Sequence, residues 1–71
     1  MSAYALRACV LIRLQARKGE WVDLADLVSH LGVREERVRN VCAQLVDDGA
    51  ALHAQQAARE LYGIGVEGVS P

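Results

Sequence analysis

Apolar positions recur at helical spacing over three stretches of the chain and at strand-like spacing over two short stretches near its end. Residues 3–17, AYALRACVLIRLQAR, hold neither Gly nor Pro and are rich in Ala, Leu and Arg, which predicts a first helix closed by Lys18-Gly19. Its apolar residues do not keep to one side. Leu6, Cys9, Val10 and Leu14 form one stripe, while Tyr4, Ala8, Leu11 and Ile12 lie largely off it. A helix apolar on more than one face needs more cover than a small core supplies, so Tyr4, Ala8, Leu11 and Ile12 are the candidate interface of a homodimer.

After a short extended piece, Glu20-Trp21-Val22, Asp23 stands where an N-cap is needed for LADLVSHL, whose Leu24, Leu27, Val28 and Leu31 fall at helical spacing. Gly32 closes this second helix. A third is predicted over 34–48, REERVRNVCAQLVDD, with Val38, Val41, Cys42, Leu45 and Val46 at i, i+3, i+4, i+7 and i+8 and Gly49 at its end. Beyond it, residues 51–54 and 60–64 are short enough for strands. The polar, alanine-containing stretch from Gln55 to Arg59 reads as a hairpin turn or, on propensity alone, as part of a short helix. Gly65, Gly68 and Ser70-Pro71 predict a flexible C-terminal tail over 65–71, after a single domain over 1–64.

Two helices joined across Leu31-Gly32-Val33, the second amphipathic and followed by a hairpin, have the order of a winged helix-turn-helix. Gly32 allows the tight turn, and Val33 plugs the angle between the helices above Leu27, Val38 and Leu45. The run LADLVSHLGVREERVRNVCAQLVDDGAAL, residues 24–52, resembles the core of the bacterial winged-helix transcriptional regulators, and the hairpin extends a looser match to residue 64. That resemblance implies an α+β fold, mainly α, of three helices plus a C-terminal β-hairpin wing. It also implies a small regulator that reads the major groove of double-stranded DNA with the helix 34–48.

With Val38, Val41, Cys42, Leu45 and Val46 turned inward, the outward arc holds Glu36, Arg37, Arg39, Asn40, Ala43, Gln44 and Asp47. Arg pairs bidentately with guanine and Asn or Gln with adenine, so the resemblance makes Arg37, Asn40 and Gln44 the candidate base readers. Arg34 and Arg39, nearer the edge of the arc, suit phosphates. Gln55, Gln56 and Arg59 occupy the stretch where such a wing touches the minor groove or the backbone. Glu35, Glu36 and Asp47 nearby allow the plainer reading of a solvated face of mixed charge. Winged helices also serve as protein-interaction modules, which is the second functional reading, with the first helix and the acidic C-terminal half docking onto a larger protein.

At 71 residues, 52% hydrophobic and 24% charged, the chain has the composition of one small globular domain and is too short for the cleft and scaffold of most enzymes. No catalytic set or Gly-rich phosphate loop is present, and no cofactor is implied. The net charge of −1 excludes a general coat of positive charge, yet residues 1–18 carry Arg7, Arg13, Arg17 and Lys18 without an acid, so a local basic face remains open. Cys9 and Cys42 belong to no CxxC, and His30 and His53 have no second ligand at metal spacing, so neither a disulfide framework nor a metal site is indicated. A reducing, cytoplasmic setting is expected. Both cysteines read as core filler, and Trp21 as a lid on the core. The apolar stretch from Met1 to Ile12 is interrupted by Arg7 and followed by Arg13, too short to span a bilayer.

Overall fold

Helix starts in this chain fall where a side chain or a sharp turn can satisfy free backbone amides. The structure, a computed structural model, describes residues 1–67 and runs α1 (Ala3–Ala16), β1 (Val22–Asp23), α2 (Leu24–Leu31), α3 (Glu35–Asp47), β2 (Leu52–Gln56) and β3 (Arg59–Gly63). Ser2 Oγ accepts from the Ala5 amide at 3.1 Å, and Asp23 Oδ1 accepts from the Ala25 amide at 3.0 Å. Gly32 ends α2 in the left-handed conformation, at φ 65°, and its amide returns to the Val28 carbonyl at 2.9 Å. Arg34 is the N-cap of α3 without a side-chain bond, and Glu35 and Glu36 in the first turn offset the positive end of the helix instead. Arg34 and Asp48 therefore flank the third helix as caps.

The architecture is α+β and mainly α, with three helices and one antiparallel sheet in the order β1-β3-β2, a topology compatible with a winged helix-turn-helix. Leu6, Val10 and Leu14 of α1, Leu24 and Leu27 of α2, and Val38, Val41, Cys42 and Leu45 of α3 converge in one core that Val22, Ala51 and Tyr62 close from the sheet side. Val33 is half-buried and packs against this core, in which Leu27, Val38 and Leu45 are fully buried. Cys9 stays half-buried at the rim instead of joining the buried stripe of α1.

The stretch 55–59 is strand and turn, not helix: β2 and β3 pair from Leu52↔Gly63 to Gln56↔Arg59, leaving Ala57-Ala58 as a two-residue connection. Ala57 adopts φ 55°, where its Cβ crowds the backbone and glycine normally stands. Ala57→Gly is therefore expected to raise stability by about 0.5–1 kcal/mol, the relieved strain exceeding the added chain entropy. A thermal melt shifted upward by several degrees checks this, and a downward shift would refute it.

Trp21 does not lid the core. Alternation along β1 turns Val22 inward, opposite Tyr62, and leaves Trp21 and Asp23 on the outer face of the sheet. There the Trp21 ring lies 3.4 Å from where a Cβ on Gly63 would be, and Val66 Cγ2 and the Glu20 carbonyl oxygen lie at 2.6 and 2.9 Å from it. Residue 63 has no room for a side chain. Val66 is half-buried over β3, so the part of the expected tail through Glu67 begins packed against the domain, and residues 68–71 lie outside the described residues. No helix among the described residues is long and apolar enough to cross a membrane.

Candidate nucleic-acid interface

With four side chains of α3 buried, about 100° of turn per residue distributes the rest over three exposed rows. Arg37, Asn40 and Gln44, at i, i+3 and i+7, make the row nearest α1, where they line a shallow cleft with Ala3, Leu6 and Val41. The Arg37 guanidinium donates to the Met1 carbonyl at 2.6 Å, which steers it toward the N-terminus of the chain. Arg34 stands beside it, the two arginines sharing a cleft with Met1, Leu31, Gly32 and Val33 at the turn between α2 and α3. Neither arginine is ion-paired with a carboxylate among the described residues.

The crest of the helix is different. Glu36, Ala43 and Asp47 are exposed along it, so two carboxylates stand at the outermost line of α3. The third row faces the hairpin. Arg39 Nε donates to Glu60 Oε2 at 3.0 Å, and its Nη2 lies 3.4 Å from Glu35 Oε2. Beyond that bridge a groove runs between α3 and the sheet, floored by the rings of His53 and Tyr62, whose centroids are 5.0 Å apart.

The candidate phosphate contacts Arg34 and Arg39 thus occupy opposite flanks of the helix. Arg34 is open to solvent, while Arg39 sits between two carboxylates. Arg59 leaves the hairpin tip: its Nε donates to Asp23 Oδ2 at 2.7 Å, while Oδ1 of the same carboxylate caps α2. The Ala25 amide first, and then Arg59, hold the Asp23 carboxyl below its ordinary range. Gln55 and Gln56 remain exposed near the tip. In both pairs the guanidinium of Arg39 or Arg59 stays open to solvent, where water screens the attraction and ion pairs are weak, so a phosphate can displace either carboxylate at small cost.

Glu60 and Asp23 govern two of the arginines; sequence reading did not single out Glu60, and it marked Asp23 only as the N-cap of α2. The Glu35–Arg39 spacing of four was visible as a helical pair. Asp23 reaches Arg59 through the pairing of β1 with β3, and Glu60 reaches Arg39 because β3 comes alongside α3, at separations of 36 and 21 residues.

On the far side of α1, Tyr4 and Ile12 are 85% and 65% exposed and Ala8 is exposed, while Leu11 is half-buried against the core. An open, mostly apolar cleft between α1 and α2 is lined by Cys9, Ile12, Arg13, Ala16, His30 and Leu31. Among the described residues no three His, Cys, Asp or Glu side chains are grouped to hold a metal ion. No family model, no curated protein and no solved structure matches the chain.

Proposed function

We propose that the chain is a small cytoplasmic DNA-binding transcriptional regulator that lays α3 in the major groove of double-stranded DNA and works as a homodimer. The observation that carries this reading is the row Arg37, Asn40 and Gln44, exposed on one flank of the helix that follows a tight Gly32 turn, with a hairpin beside it. The likeness of residues 24–52 to winged-helix regulators supports it. In this reading Arg37 pairs with guanine, and Asn40 and Gln44 with adenine. Arg34 takes a phosphate beside the N-terminus of α3, and Gln56 meets the backbone from the hairpin. Arg39 and Arg59 join by exchanging their carboxylates for phosphates.

The test is a titration of a labelled duplex of ~30 base pairs, taken from upstream of the gene, against a scrambled duplex at two salt concentrations. The upstream duplex is expected to bind more tightly, with a log–log salt slope of about −0.9 for each phosphate engaged. Arg37→Ala and Asn40→Ala are each expected to weaken binding by ~1–3 kcal/mol and to narrow the difference between the duplexes.

Glu36 and Asp47 on the crest of α3 favour a second reading, a winged-helix protein-interaction module without direct DNA binding. Equal, weak binding of both duplexes, near or above ~10⁻⁴ M, selects it.

A further inference from the structure

The first helix carries two seams, about 130° apart at ~100° of turn per residue. Leu6, Val10 and Leu14 are fully buried along one. Along the other, Tyr4, Ala8, Leu11 and Gln15 recur at steps of four, three and four, which is the a/d spacing of a coiled-coil seam. No charged side chain stands on this outer seam, and Arg7 at its border is held by Asp48 at 3.0 Å. The surface is hollow around Ala8, where Tyr4, Arg7, Ala8 and Leu11 line a depression of ≈ 150 Å³. Residues at i, i+3, i+4 and i+7 are the four that receive a knob from a facing helix.

The same seam carries a knob that fits. For two copies of α1 crossing antiparallel about a two-fold axis between residues 9 and 10, each position faces the one whose number completes a sum of 19. Leu11 of each copy then falls on Ala8 of the other, and Tyr4 falls on Gln15. A two-fold interface has to be complementary to itself. Here a large side chain meets a small one at the centre, and a phenol hydroxyl meets an amide at each end. In a parallel pair Ala8 would face Ala8, and the hollow would stay unfilled.

We propose that a second copy of this chain docks on the outer face of α1, antiparallel, with Leu11 of each copy seated in the Ala8 hollow of the other. This deepens the dimeric part of the function proposed above and rests on that part, not on DNA binding. A 14-residue helix is about 21 Å long at ~1.5 Å per residue, so one seam covers less than the ~800 Å² per partner of a stable interface. The free dimer is accordingly weak. A DNA site with two half-sites raises the effective concentration of the second copy and completes it.

Sedimentation velocity without DNA, from about 5 µM to about 500 µM, spans the range where such a dimer forms. The wild-type chain is expected to pass from monomer to dimer across it. Ala8→Glu, at an exposed helical position, is expected to raise the dissociation constant more than tenfold while far-UV circular dichroism stays unchanged. Orientation is read in a Cys9→Ser background, where the remaining Cys42 is buried. The double variant Tyr4→Cys/Gln15→Cys should oxidise to a covalent dimer, and neither single variant should, because like positions lie roughly 16 Å apart in the antiparallel pair and a disulfide tolerates only ~7 Å between Cα atoms. A wild-type chain that stays monomeric throughout, a dimer indifferent to Ala8→Glu, or ready cross-linking by Tyr4→Cys alone overturns the proposal. With no DNA in the experiment, these outcomes leave the DNA reading to its own titration.

Discussion

Truncating Leu27 to alanine is expected to cost about 2–5 kcal/mol, a large share of the roughly 4–10 kcal/mol available to a domain of this length. The cost follows from how α2 is held. Eight residues are too few for a helix to persist unaided in water, so α2 exists because its inner face is docked. Only Leu24 and Leu27 of that helix are buried, and Leu27 is fully enclosed among α1 and α3. Its loss leaves a cavity at the point where α2 meets the core, with Leu24 and the half-buried Val28 and Leu31 left to supply the apolar contact of the helix. Urea unfolding followed by circular dichroism should show the midpoint falling by about 2 M or more, taking a slope near 1 kcal/mol/M for so small a protein. Leu52→Ala is the control: this leucine is 41% exposed on the sheet, and its truncation is expected to move the midpoint little. Equal shifts for the two variants would mean that α2 is held by something other than its buried leucines. Because Gly32 and Val33 hang α3 from the end of α2, Leu27→Ala should also weaken any binding that depends on α3, without touching the ligand.

The helices were legible in the sequence because their signals are local. Asp23 as N-cap, Gly32 as a left-handed stop, and the spacing from Val38 to Leu45 each act within a turn or two, and α2 runs over the residues that pattern marks. The hairpin was legible as a pair of strands but not in its ends, since Ala57-Ala58 carries none of the Gly or Asn that normally announces a two-residue turn. Trp21 was misplaced for a reason of parity. A two-residue strand fixes which side faces inward only through its pairing with Tyr62 and Leu61, and a shift of one residue would exchange Trp21 for Val22. At the candidate interface the row Arg37, Asn40 and Gln44 follows from helical period alone. Glu35 follows from the same period as a partner for Arg39, but Glu60 and Asp23 could not be read from it, since each arrives from a strand distant in the chain. The packing of Val66 over Gly63 was hidden likewise, because glycine in a strand signals close approach without naming what approaches.

Raising the pH above 9 is expected to destabilise the fold through Cys42, by an amount comparable to the Leu27 truncation. The thiol is 1% exposed in the core, and burial first, then the nearby Glu60 carboxylate, push its pKa from 9.0 up to about 12. The folded chain therefore keeps a proton that the unfolded chain gives up. Below pH 9 both states hold it and stability is unaffected. Between pH 9 and 12 the unfolded state alone is deprotonated, and stability falls by about 1.4 kcal/mol per pH unit, approaching ~4 kcal/mol at the upper end. Tyr62, also raised, mainly by burial, adds a slope of the same sign above its ordinary value of 10.0. Comparing the wild type with Cys42→Ala from pH 8 to about pH 10 separates the two, because the tyrosine contributes least there. Cys42→Ala should lose some stability at pH 8 through the vacated volume and then show a flatter decline, so that the two curves converge as the pH rises. Parallel curves would mean that Cys42 ionises alike in both states, and hence that water reaches the inner face of α3. A converging pair carries a consequence for chemistry as well: a thiol held protonated in the folded state supplies almost no thiolate, so oxidants and alkylating reagents should reach Cys42 only through unfolding, while the half-buried Cys9 reacts from the native state.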